Sequence, residues 1–227
     1  MIINEQLINK FIYVIFFLIF GIGILIFKDY GLTLDDEHYR VNGVFYKDFI
    51  KEYLTLLVNF NFTELNLLNK EIETGSLKNH PVIFETVLAF ISDLLNYNDT
   101  EDIYNLSHLL NFTIYTLSLY LFYNIILNRY KSPFLGAFAV ILIFISPRFF
   151  AEAFYNSRDI FFFSIFIFFL YVFKKLINEN NIKNLIILGF SSALLINAKI
   201  LGIIPVIIFI LIYFFYLFDD KKNIFKN

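Results

Sequence analysis

"FIYVIFFLIFGIGILIFKDYGLTLDDEHYR", residues Phe11–Arg40, decides how the chain is read. Its first part, Phe11–Phe27, is uncharged and apolar throughout. A helix rises about 1.5 Å per residue and a bilayer's hydrocarbon is roughly 30 Å thick, so about 17 to 20 such residues are enough to cross. Within ten residues the chain then places three carboxylates in a row, Asp35, Asp36 and Glu37, followed by His38 and Tyr39. A charge beside the hydrocarbon edge is costly unless it is hydrated, paired or used. The stretch therefore poses two questions at once, where the membrane lies and what the acidic run does beside it.

Composition answers the first. The 227 residues are 59% hydrophobic, with 32 Phe and 15 Tyr, more apolar surface than one soluble core can hide. The net charge of -2, with no basic patch among the aromatics, excludes nucleic acid as a partner. There is no cysteine, so disulfide, thiolate-metal and thiol redox chemistry are excluded as well. The N-terminal run lacks a strong basic flank and a small-residue cleavage site, so it reads as a retained span rather than a signal peptide.

The apolar runs predict an all-α polytopic membrane protein of about six transmembrane helices: Phe11–Phe27, Asn105–Leu127, Phe134–Ile145, Ile160–Phe173, Asn184–Ala198 and Leu201–Phe218. The third ends at Ser146-Pro147, because proline disfavours helix in the residue before it. The whole chain, 1–227, reads as one membrane domain with a long outer loop over 28–104. In that loop "YKDFIKEYLTLLVNF" and "PVIFETVLAFISDLL" are amphipathic and too short or too charged to span, which suits helices lying in the interface.

Charge sets the orientation. The N-terminus and the connectors after the second, fourth and sixth runs carry nine basic and four acidic residues, and the other side carries nine and sixteen. Basic residues mark the cytoplasmic side, so both termini are expected there, with the long loop facing the periplasm or outside of a bacterial inner (plasma) membrane. All three histidines, together with Asp35, Asp36, Glu37, Arg148, Glu152, Arg158, Asp159 and Lys199, fall on that outer side. Read singly, these residues have plain structural uses. Asn156 or Ser157 suits an N-cap, and Asp159 complements a helix N-terminus. Asn79–Pro81 reads as a turn into a helix, and Lys199 can snorkel. Their shared side points instead to one polar site where the spans open outward.

The order of these elements resembles the N-terminal part of polytopic, lipid-sugar-dependent glycosyltransferases of the GT-C fold, with protein O-mannosyltransferases and lipid A aminoarabinose transferases as models. Such enzymes place an Asp-Glu pair and an aromatic after the first span, here Asp36-Glu37-His38-Tyr39. A His-Pro-Pro or Lys-Pro-Pro element follows, here His80-Pro81 with Val82 in place of the second proline. A later Asp opens a span, here Asp159 in "NSRDIFFF". The resemblance implies inverting transfer of a sugar from a polyprenyl phosphate to an acceptor protein, glycan or lipid. It implies Asp36 as the base, with Asp35 and Glu37 as like-charged neighbours. Glu37, His80, Arg158, Asp159 and Lys199 become substrate-binding residues, with Arg148 a further candidate cation. The histidines show no metal-ligand spacing, so no metal and no cofactor is expected. Relatives of this kind are longer, which implies an incomplete chain or a second chain supplying further spans. The alternative is a non-catalytic membrane protein, such as a transporter subunit or assembly partner. A transporter puts polar residues at mid-membrane, whereas here the charges gather at the ends of the runs.

Overall fold

Five helices among the described residues start on a side chain that accepts from the first turn: Asn61 from Glu64 N–H, Asp99 from Glu101 N–H, Ser132 from Leu135 N–H, Asn156 from Asp159 N–H and Asn181 from Asn184 N–H. Pro133 and Pro147 occupy first turns, where the missing N–H costs nothing. The computed structural model describes the backbone of residues 5–74 and 82–224 and the side chains of 12–68 and 82–216. Among the described residues the regular structure is all helix. The helices are α1 (Glu5–Ile26), α2 (Asp36–Val58), α3 (Phe62–Thr74), α4 (Ile83–Leu94), α5 (Thr100–Tyr130), α6 (Pro133–Phe144), α7 (Pro147–Tyr155), α8 (Ser157–Asn178), α9 (Ile182–Ala198) and α10 (Ile203–Ile224).

The all-α membrane architecture expected from the sequence is present, with refinements. By length and composition, three stretches among the described residues suffice to cross a bilayer: Ile12–Asp29, which runs just past the end of α1, and the helices α5 and α8. The pair α6 and α7 makes a fourth if counted as one broken span, bent by 68° where Ser146-Pro147 interrupts it. The α9 helix and the segment Ile200–Tyr216 are apolar but shorter. The first interfacial helix starts earlier than its amphipathic stretch, at Asp36, so the acidic run opens α2 instead of lying in a loop. The α3 and α7 helices add to the expected set.

α5 is the axis of the bundle. Its Phe112, Tyr115 and Leu119 are fully buried, and Ile12, Ile19, Val140, Phe154 and Ile160 pack in the same core. Phe154 lies between two parallel rings, Tyr30 at 4.2 Å and Phe112 at 4.6 Å between centroids. The stack pins the segment after α1 to α7 and α5. Asn111 of α5 donates to the carbonyls of Glu152 and Phe154, at 3.4 and 3.5 Å, and so ties α5 to the last turn of α7, where the Glu152 carbonyl also accepts from the Asn156 N–H. A second cluster, Phe169, Leu195 and Val206, joins α8, α9 and α10. Phe17, Leu25, Ile186, Phe190, Ile210 and Phe215 stay exposed, as lipid-facing side chains should.

α2 and α4 lie together outside this bundle. Lys47 and Lys51 of α2 both reach Asp93 of α4, at 2.9 and 2.7 Å. Burial pushes the Lys47 ammonium down, but hydrogen bonding and charge from Asp93 and Asp48 outweigh it and hold the pKa above its ordinary value. Further along, the backbones touch. A Cβ on Gly43 would lie 2.5 Å from the carbonyl oxygen of Glu85, closer than any real side chain is found. Neither backbone can retreat without parting the two helices, so Gly43→Ala should destabilise the protein by about 1–3 kcal/mol. Thermal unfolding in detergent checks this. An unchanged melting temperature would show that the seam tolerates separation.

Candidate functional site

Asp36 sits in the first turn of α2, fixed from behind by Thr33. The Thr33 N–H donates to Asp36 Oδ2 and the Thr33 hydroxyl to Oδ1, both at 2.6 Å. The Asp36 N–H in turn donates to the Thr33 carbonyl at 3.3 Å, closing the turn that leads into α2. The arrangement holds the Asp36 carboxylate in one orientation. Its sequence neighbours Asp35 and Glu37 are exposed.

The wall opposite Asp36 comes from other helices. Glu85 of α4 is 6% exposed and accepts from the Ser157 hydroxyl of α8 at 2.9 Å. His108 of α5 is buried, with its Nδ1 3.1 Å from the carbonyl oxygen of Phe27, so the end of α1 and the start of α5 meet here. Together with Tyr39, Arg40, Tyr104 and Tyr155, these residues line a cleft of about 330 Å³, open to solvent on one side. Burial pushes the Glu85 carboxyl pKa up, and the Asp36 charge adds to the rise. Its own backbone N–H, the Ser157 hydroxyl and the Arg158 guanidinium act against it without cancelling it.

The N-terminus of α8 brings the cations. The Arg158 guanidinium lies 4.5 Å from the centre of the Tyr39 ring and donates to the Tyr39 hydroxyl. Its Nε is buried and makes no hydrogen bond among the described residues; the same holds for Nε of Arg40. The next residue, Asp159, receives Asn156 Nδ2 at 3.2 Å and pairs with Lys199 at the end of α9. Gly202 makes that end compact: a Cβ there would lie 2.3 Å from the Leu195 carbonyl oxygen. Arg148 is exposed and pairs with Glu152 at 2.8 Å, one turn along α7.

The fold thus brings together part of the set expected from sequence. Asp36 and Arg158 share Tyr39, which lines the cleft and carries the guanidinium. Asp159 and Lys199 form a pair one residue further on. Glu37 is exposed and does not line the cleft, and His80 lies outside the described residues. The sequence reading missed Glu85, Ser157 and Arg40. Glu85 had left a signal: it stands with Leu88, Ala89 and Ser92 on the buried face of an amphipathic helix, where a charge is out of place. No group of three or more His, Asp or Glu is placed to hold a metal ion among the described residues.

With this geometry in place, comparison with known families is decisive. Residues 79–227 match the family model described as dolichyl-phosphate-mannose-protein mannosyltransferase, about two thirds of the chain. The chain belongs to that family. It is therefore a membrane glycosyltransferase of the GT-C type. No curated protein and no solved structure matches it. The matched region contains Glu85, Ser157, Arg158, Asp159 and Lys199 but begins after Asp36, which enters the site through the fold alone.

The buried carboxyl gives a pH test. The folded chain holds the Glu85 proton more tightly than the unfolded one, so this group's contribution to stability is full below its ordinary value of 4.5. It is lost as pH rises from there through the folded-state value. Glu85→Gln cannot titrate. Melting temperatures of wild type and variant, measured side by side, should therefore diverge as pH rises above 4.5, with the wild type losing ground. The curves then run parallel once the folded-state value is passed. Parallel curves over the whole range would show that folding does not raise the carboxyl's proton affinity.

Proposed function

We propose that the chain moves a sugar from a polyprenyl-phosphate donor to an acceptor hydroxyl in this cleft, with Asp36 as the general base. The observation that carries the reading is the convergence of Asp36, oriented by Thr33, on a cleft whose far wall is built from the family-matched helices. The acceptor oxygen attacks the anomeric carbon and gives its proton to Asp36. The bond from that carbon to the phosphate oxygen breaks, and polyprenyl phosphate leaves with the electron pair. Attack opposite the leaving group inverts the anomeric centre. The leaving phosphate needs cations more than a proton. Arg158 supplies a planar donor fork beside the cleft, and Lys199, oriented by Asp159, supplies a second charge. No metal or cofactor has a step in this scheme.

The site is proposed to face the periplasm or outside. Lys174 donates to the Ile125 carbonyl at 3.2 Å, so the basic ends of α5 and α8 meet at the end of the bundle away from the cleft. Basic residues gather on the cytoplasmic side. Donor lipid and membrane are the partners this scheme requires, with the acceptor a protein, glycan or lipid.

Reconstituted protein with labelled polyprenyl-phosphate sugar tests the chemistry. Asp36→Asn should insert and fold normally yet release polyprenyl phosphate about 100-fold more slowly or worse. Asp35→Asn should cost far less. An active Asp36→Asn enzyme removes the base assignment. Arg158→Lys should weaken donor binding, because a point charge loses the forked hydrogen bonds.

Sidedness is read by cysteine labelling, since the chain has no cysteine of its own. Both Asn98, in the exposed turn before α5, and Asn128, near its far end, are exposed. A cysteine at Asn98 should react with an impermeant maleimide in intact spheroplasts, and one at Asn128 only after lysis. The reverse pattern places the cleft in the cytoplasm and ends the proposal for the donor's side.

A further inference from the structure

Glu85 lines three separate cavities. One is the cleft it shares with Asp36. The second, about 210 Å³, lies between α4 and α8 and holds Arg158, Phe161 and Ala198. The third, about 340 Å³, lies between α2 and α4 and holds Arg40 and Asp93. A carboxyl that is 6% exposed yet borders all three spaces stands at their junction. The Ser157 hydroxyl fixes its Oε1, and Gly43 packs against its backbone, so its place is set by two neighbouring helices. Two guanidinium groups, Arg158 in the second cavity and Arg40 in the third, flank it with buried Nε groups that have no hydrogen bond among the described residues.

This inference rests on the proposed reaction, which supplies a direction across the junction. An inverting displacement needs the acceptor oxygen, the anomeric carbon and the leaving phosphate oxygen in line. With the base at Asp36 and the phosphate at Arg158, the transferred sugar ring must lie between them, where Glu85 is. We propose that Glu85 is a substrate-binding residue that accepts hydrogen bonds from hydroxyl groups of the transferred sugar. A carboxylate suits a polyol because each oxygen accepts from hydroxyls, and the donors on either side keep it in place.

The test separates sugar from lipid phosphate. Affinities of purified protein in nanodiscs are measured for polyprenyl-phosphate mannose, polyprenyl-phosphate glucose and bare polyprenyl phosphate. Glu85→Ala should weaken the sugar-bearing lipid that wild type binds better by about 10-fold or more, the loss expected when a hydrogen bond to a charged group disappears. Bare polyprenyl phosphate should bind within about twofold of wild type. If Glu85→Ala does not fold, Glu85→Gln gives the same comparison. It keeps the volume and the Ser157 bond but replaces an accepting oxygen by an N–H. Ser157→Ala, which removes only the Ser157 hydrogen bond, should leave both affinities within about threefold. Equal losses for sugar-bearing and bare lipid, or a Ser157→Ala loss as large as that of Glu85→Ala, would show that Glu85 acts only by holding α8, and the sugar contact falls. No loss for any lipid overturns it too. If wild type binds none of the three lipids, the polyprenyl-phosphate reading itself fails, and this inference with it.

Discussion

The meeting of α2 and α4 at Gly43 and Glu85 is the constraint on which the site depends. Two helices can touch backbone to backbone only where one of them has no Cβ, and Gly43 provides that gap. The contact fixes the height of α2 relative to α4. Height matters because the residues of interest lie at set distances along each helix from the seam. Asp36 is seven residues, about two turns, before Gly43. Glu85 is itself the contact. The clamp of Lys47 and Lys51 on Asp93 lies on the other side of the seam and stops α2 from pivoting about it. With translation and rotation both removed, the α2 N-terminus can meet only the start of α8, and the cleft forms there.

The bundle carries this pair through contacts of another kind. Apolar faces alone would let α1, α5, α7 and α8 slide in a lipid environment, because lipid tails solvate Phe and Leu as well as a neighbouring helix does. Specific contacts set the register instead. They include the Tyr30–Phe154–Phe112 stack, the Asn111 bonds to the end of α7 and the His108 contact with Phe27. These lie toward the same end of the bundle as the cleft. The specific contacts thus gather where the chemistry is proposed, and the lipid-facing surface far from it is nearly pure hydrocarbon.

Much of this was legible in the sequence. Apolar runs, the Ser146-Pro147 break and the Asn156 cap are local signals, and the structure places a helix boundary at each. The acidic run was legible as unusual, though not as the first turn of a helix, because three adjacent carboxylates after a span read equally well as a solvated loop. The span count was less legible, since α9 and the segment after it fall between a spanning and a buried length. The partners of the charges were not legible at all. Nothing in the spacing tells that Arg158 lies on Tyr39, 119 positions earlier, or that Lys199 chooses Asp159. Glu85 was visible as a charge on an apolar face, but only the Gly43 contact explains why it is buried in a wall of the cleft.

The pairing of the cations has a consequence for how a charged lipid enters. A bare guanidinium or ammonium at the hydrocarbon edge costs several kcal/mol, and the chain avoids that cost in its resting state by laying Arg158 on Tyr39 and Lys199 on Asp159. Neither partner satisfies all the donors. The Tyr39 hydroxyl takes one of the guanidinium's hydrogen bonds and the ring face none, and Arg158 Nε has no acceptor among the described residues. An arriving phosphate therefore need not break a strong ion pair at Arg158. It exchanges a cation–π contact, worth about 0.5–2 kcal/mol, and one hydrogen bond to a neutral hydroxyl for hydrogen bonds between two charged groups that are stronger. At Lys199 the exchange is less favourable, because Asp159 is a full charge and stays where it is. The two cations are thus unequal. Arg158 is poised to move to the donor while Lys199 remains with Asp159 and acts through its field, which leaves Tyr39 as the hinge between the acidic run that opens α2 and the family-matched helices that face it.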